Sequence, residues 1–122
     1  MLEQMIGAPS ASSSQRARAW LAAFLAARGE RRRALSMVGQ VTTAGYMDHH
    51  VAAGLGSAYA QLGRPEEALS WLRNAADHGF PCPPWYARDP LLAPLRQNPA
   101  FEAWLLELQL RLRDDEKRYA PY

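Results

Sequence analysis

The sequence contains a single cysteine, Cys82, among 122 residues. That excludes an intrachain disulfide and a cysteine-based zinc site. Val, Ile and Thr are scarce, and lysine occurs once against thirteen arginines. With β-branched residues rare and Ala and Arg abundant, helix is favoured over strand before any pattern is considered. Long hydrophobic runs are missing as well. The longest, Ala19 to Ala27, falls far short of the roughly 20 residues a membrane span needs. It is also a poor secretory signal, because it starts late, lacks a convincing cleavage site and runs into Arg31-Arg32-Arg33. A buried amphipathic helix and a cytoplasmic protein are expected instead. Charge of one sign is not in large excess. Residues 1–47 carry six Arg against Glu3 and Glu30, while 48–122 carry eight bases against ten acids, for a net +2. That balance is too mild to demand a polyanionic partner.

What remains is ordinary globular composition, 48% hydrophobic and 21% charged, with a mass of 13.6 kDa that leaves room for one domain. Within it a period of 34 residues is visible. Leu21 maps to Leu55, Gly29 to Gly63, Ala34 to Ala68, Leu35 to Leu69, and Gly45-Tyr46 to Gly79-Phe80. The register continues weakly, with Arg64-Pro65 mapping to Asn98-Pro99 and Leu72 to Leu106. A fixed period of this length signals stacked supersecondary units.

Each unit reads as a helical hairpin. In the second, Asp48 caps a helix from about His49 to Leu62 whose inner face carries Val51, Leu55 and Tyr59. Gly63 supplies the left-handed residue that ends it. Pro65 opens the next helix, Glu66 and Glu67 favour its first turn, and Ala68, Leu69, Leu72, Ala75 and Ala76 form one apolar stripe before Gly79. The first unit predicts a helix from about Gln15 to Arg28 and a partner from Glu30 to about Thr43, with Ala34, Leu35, Val38 and Val41 inward. A third, degenerate unit predicts a two-turn helix from Leu91 to Arg96 and a long one from Pro99 to about Arg118 carrying Phe101, Trp104, Leu105, Leu108 and Leu112. Residues 1–14 read as a flexible lead-in, 15–118 as the repeat domain and 119–122 as a tail.

The segment VAAGLGSAYAQLGRPEEALSWLRNAADHGFP, residues 51–81, resembles the tetratricopeptide repeat. Leu55-Gly56, Tyr59, Ala68, Leu72, Ala75 and Pro81 fit its pattern, whereas Ala52 stands where the family often has Trp. Small residues such as Gly56 and Ala68 let paired helices approach closely. Residues 79–108 look like the closing segment of tetratricopeptide arrays in bacterial multidomain signalling proteins. The resemblance implies an all-α right-handed solenoid of about two repeats plus a closing helical pair. It implies a non-catalytic adaptor or scaffold without cofactor, and the C-terminal part of a longer array.

Candidate sites follow from that frame. The groove side of the first helices would present Arg16, Ala19, Trp20 and Ala23, then His50, Ala53, Ser57 and Ala60. It reads as a shallow groove of small residues for an apolar or helical ligand. It lacks the Lys/Asn clamp that some such domains use for C-terminal carboxylates. Trp85 and Tyr86, in a proline-flanked loop from Pro81 to Asp89, are candidates for a partner hot spot or for covering the last hairpin. Trp20, Leu21, Phe24 and Leu25 are expected to leave an uncapped apolar end that packs on a second copy, a partner or upstream repeats. A metal site from His49, His50, His78 and Cys82 is disfavoured, since adjacent helical residues point about 100° apart. A Cys82–His78 nucleophile has no visible orienting group or oxyanion hole. The alternative to protein binding is nucleic-acid association through Arg28, Arg31, Arg32 and Arg33, a run interrupted by Glu30 and without aromatic interleaving.

Overall fold

Four glycines mark the ends of the first four long helices. Gly29, Gly45, Gly63 and Gly79 have φ of 82°, 87°, 76° and 130°. Among the described residues no other residue type enters this left-handed region, which suits glycine because it lacks a Cβ. Gly29 and Gly63 close their helices identically. The residue after each glycine donates its N–H back five positions, Glu30 to Leu25 and Arg64 to Tyr59, both at 2.9 Å.

The computed structural model describes residues 11–119, with side chains from 14 to 115. It is all-α. Helices α1 (Ala11–Ala27), α2 (Arg31–Thr43), α3 (His49–Gln61), α4 (Pro65–Asp77), α5 (Pro83–Arg88) and α6 (Pro99–Tyr119) are joined by short links. A 3-10 helix, η1 (Pro90–Leu95), lies between α5 and α6. The 34-residue period governs where helices start: Arg31, Pro65 and Pro99 in one series, His49 and Pro83 in the other.

Packing follows the hairpins. α1 lies against α2 and α3, α3 against α4 and η1, and α5 against both α6 and η1. One core brings Ala19, Ala22, Val38, Val41, Val51 and Leu55 together. A second joins α4 to the closing unit through Leu72, Tyr86, Leu92, Leu95, Phe101, Trp104 and Leu108. The expected close approach of helices is present at two glycines. A Cβ on Gly54 would meet the Ala19 Cβ at 2.8 Å, and one on Gly56 would meet Leu72 Cδ2 at 2.6 Å. Both glycines are interior to α3, so the helix-propensity penalty of glycine is offset by contact with neighbours on two sides.

The observed elements differ from expectation in three places. α1 begins at Ala11, so residues 11–14 belong to the helix rather than to the lead-in. Burial of Ser14 and Gln15 outweighs the weak helix propensity of the serines. Residues 1–10 of that lead-in, and 120–122 of the tail, lie outside the described residues. Second, the loop expected from Pro81 to Asp89 contains α5. Pro83 and Pro84 stand in its first turn, where a missing N–H leaves no bond unmade. Third, the α-helix expected over 91–96 is the 3-10 helix η1. Pro90 forces Asp89 into extended backbone (φ −60°, ψ 124°), and Pro94 inside η1 has no N–H for an α-helical bond.

The apolar end expected on α1 is largely covered. Leu25 is buried, Trp20 and Leu21 are half-buried, and only Phe24, 54% exposed, projects. Among the described residues no helix is long and apolar enough to cross a membrane.

Candidate functional site

Asp48 sets the geometry of the site by fixing α3 to α1. Its Oδ1 accepts from the Val51 N–H at 2.8 Å, capping α3. Its Oδ2 accepts from Arg16 Nε at 2.7 Å and from the Tyr46 hydroxyl at 2.8 Å. Burial alone would raise this carboxyl. The Val51 N–H, the Tyr46 hydroxyl and the Arg16 guanidinium outweigh it and hold the group down to about 2. Arg16, a candidate partner-binding residue, therefore has its Nε engaged in the fold.

With α3 held there, its first turn faces α1 across an apolar cavity of about 510 Å³. Trp20 and Phe24 supply one wall from α1, and His49, His50 and Ala53 a second from α3. The closing unit supplies the rest: Phe80 from the α4–α5 link, Trp85 from α5, and Asp89, Pro90 and Leu91 at the start of η1. The volume lies in the range of small-molecule and side-chain pockets.

The rings are organised by contact with one another. Trp20 and Trp85 lie 6.2 Å apart with perpendicular planes. Trp85 meets Phe80 edge-to-face at 5.1 Å, and Phe80 stacks near His49 at 6.5 Å. Behind them Tyr86 touches Trp85 and Phe80 and passes the contact to Trp104 at 5.0 Å. Its hydroxyl donates to the Phe80 carbonyl at 2.7 Å. Burial pushes this phenol well above its ordinary value, with Cys82 and Asp77 adding to the effect. The cavity wall is thus an extension of the C-terminal core, which holds its aromatic side chains in place.

Of the residues proposed to meet a partner, Trp20, His50 and Trp85 come together at this cavity. Ala23, Ser57 and Tyr86 do not. All three are fully buried, Ser57 with its hydroxyl donating to the Ala53 carbonyl at 3.0 Å. Tyr86 is buried in the closing core beside Phe101 and Trp104. For Ala23 and Ser57 the reason is the tight α1–α3–α4 packing, which turns the small-residue face inward instead of leaving it as a shallow groove. Ala19, Ala53 and Ala60 are buried for the same reason. The imidazoles of His49 and His50 were expected on different faces, yet their centroids are 4.1 Å apart. Rotation about the side-chain bonds brings the rings together despite diverging Cβ directions. Even so, among the described residues no three His, Cys, Asp or Glu groups cluster as metal ligands would. The basic run is tied down locally: Arg33 and Arg28 reach Glu30 at 2.8 and 3.5 Å, and Arg31 donates to the Leu62 carbonyl at 2.8 Å.

Phe80, Asp89 and Leu91 escaped the sequence reading as site residues, whereas Phe24 was expected at an apolar contact end rather than at a cavity. Phe24 carried a signal, standing one helical turn from Trp20 on the same face. Asp89 and Leu91 carried none, because a loop was expected to end at Asp89 and an α-helix to begin at Leu91, where η1 instead turns them to the cavity.

A family profile for the tetratricopeptide repeat matches residues 15–40 and 49–74, two stretches that begin 34 residues apart. Two repeat-length stretches of the chain are thus similar to the tetratricopeptide repeat. They correspond to most of α1 with α2, and to α3 with most of α4. No curated protein and no solved structure matches the chain. Tetratricopeptide repeats suggest a protein-interaction module. The cavity lies where the first helices of both repeats meet the unit that follows them.

Proposed function

We propose that this chain is a non-catalytic adaptor or scaffold of the cytoplasm, and that a partner protein inserts a side chain into the aromatic cavity between α1, α3 and α5. One observation carries the reading. The first helices of both repeats and the closing unit converge on one apolar recess, with Phe24 left 54% exposed at it. Half-buried aromatic rings with a preformed hollow between them are what an anchor residue needs, since little has to be ordered on binding. The resemblance of residues 79–108 to the closing segments of arrays in bacterial signalling proteins supports placing the chain at the C-terminal part of such an array. Phosphate binding through Arg28–Arg33 has less support, because three of those four guanidiniums are held by Glu30 or Leu62.

The test is selection of peptides from a displayed library against the whole chain, followed by titration into the Phe24→Glu variant. Phe24 is exposed, so the variant is expected to fold, confirmed by an unchanged helical circular dichroism spectrum. Selected peptides should lose about tenfold or more in affinity, the usual size of a hot-spot loss of roughly 1.4 kcal/mol or above. Peptides that bind both proteins equally would place the binding surface elsewhere.

A further inference from the structure

The geometry points to a trimethylated lysine side chain, presented by a partner protein, as the group this cavity accepts. The inference rests on the cavity being the docking site proposed above and specifies the chemistry of the occupant.

Shape is the first argument. Trp20 and Trp85 stand at 90° to each other, and Phe80 is inclined at 68° to Trp85. A flat ring could lie against one of these planes but not on both indoles at once. A rounded head is contacted from several directions, as a tetrahedral arrangement of methyl groups would be. About 510 Å³ accommodates such a head together with the aliphatic stem that carries it.

Charge is the second argument. The lining contains no Lys or Arg, and its one carboxylate is Asp89. Among the described residues that carboxylate forms no ion pair; its Oδ1 caps η1 by accepting from the Leu91 N–H at 2.9 Å. The nearby Arg96 donates to the main-chain carbonyls of Ala87 and Asp89, at 2.8 and 2.6 Å, and is not part of the lining. The indole rings favour a cation through the negative potential of their faces, and the single acidic residue of the lining adds to this without a basic residue to oppose it.

Hydrogen bonding decides which cation. An unmodified lysine brings three N–H donors that must be satisfied once water is removed. The wall is almost wholly apolar and offers few acceptors: Asp89 Oδ1 already accepts from the Leu91 N–H, which leaves Asp89 Oδ2 and the His49 and His50 imidazoles for three donors and no backbone group built to receive them. A guanidinium, with five donors, fits less well still. A trimethylammonium group keeps the charge and has no donor to satisfy, so it matches a cavity that is aromatic, mostly apolar and acidic at one point.

The experiment measures tryptophan fluorescence while blocked pentapeptides of glycine around one central residue are titrated in. The central residue is trimethyl-lysine, lysine, or the carbon isostere bearing a tert-butyl group in place of trimethylammonium; free choline is a fourth probe. The trimethyl-lysine peptide is expected to bind about tenfold more tightly than either other peptide, the fold-change for a desolvated cation–π contact. It should also bind more tightly than choline. Asp89→Asn preserves an oxygen for the η1 cap and should weaken trimethyl-lysine binding about threefold while leaving the isostere unchanged. Equal binding of the isostere overturns this inference but leaves the docking site standing. Choline binding as tightly as the peptide overturns the assignment to a protein side chain. If no probe binds while library-selected peptides do, and depend on Phe24, this inference falls alone. If neither kind binds at the cavity, both fall.

Discussion

The second repeat and the closing unit start their helices in the same register but use that register in opposite ways. In α3, Gly54 and Gly56 bring α1 and α4 so close that no Cβ fits. Advancing 34 residues from Gly56 reaches Pro90, where α5 has already ended. The same shift carries Val51 and Ala52, both buried and small, onto Trp85 and Tyr86. Glycine in the repeat permits contact; proline in the closing unit ends the helix, and large rings take over the covering. Small residues let α3 close on α1 and on α4, whereas perpendicular rings line a cavity between α1, α3 and α5. Helix starts are therefore a local matter of caps and prolines. Whether two elements enclose a cavity depends on side-chain size at the crossing.

The contrast can be broken at Leu72, which both regions share. It is fully buried, sits against Gly56 and belongs to the core that includes Tyr86 and Phe101. Leu72→Ala should cost about 2–5 kcal/mol in a urea denaturation series. A loss under about 1 kcal/mol, typical of surface changes, would mean that the closing unit does not depend on the repeat.

A pair of glycine substitutions sharpens the point about close approach. Gly54→Ala drives a methyl into Ala19 and into backbone at 3.1 Å, and should destabilise by about 1–2 kcal/mol net of the gain in helix propensity. Gly39→Ala, in α2 with nothing within 4 Å, should stabilise by about 0.5–1 kcal/mol. Thermal melts of the two variants moving in the same direction would refute the proposed crossing.

The smallest effect concerns the caps. Asp48 in the repeat has three donors, whereas Asp89 in the closing unit has the Leu91 N–H. Because the Asp48 carboxyl titrates at about 2 in the fold and near 3.8 unfolded, the unfolded chain takes up its proton first on acidification. The contribution of this group is complete above about pH 4 and is lost as pH falls toward about 2. Asp48→Asn should cost about 0.5–1 kcal/mol near neutrality, the size of a partly exposed ion pair, and the gap to wild type should close on acidification. A gap that stays constant across that range would show that the charge of Asp48 does not stabilise the fold.

Much of this was readable in the chain. Gly29 and Gly63, Asp48 and Pro65, and the stripe from Ala68 to Ala76 each act over a few residues, and the structure places each where its local chemistry puts it. α5 was not readable, because the prolines around Trp85 and Tyr86 suggest a loop as readily as a helix that begins on proline. The site was legible only in part. Trp20, His50 and Trp85 were identifiable as aromatic or polar residues on the right elements, but Ala23, Ser57 and Tyr86 carried the same signals and are buried.

The sequence by itself determined the all-α class, the 34-residue register and the starts of α2 to α4, because capping, left-handed glycine and proline chemistry depend on neighbours within a turn. Only the tertiary structure decided which side of α3 is buried, where Phe24 projects, and that Asp89 joins two indoles at one cavity. Those outcomes depend on how closely helices cross, which is set by side chains far apart in the chain meeting in space, Ala19 on Gly54 and Trp20 on Trp85.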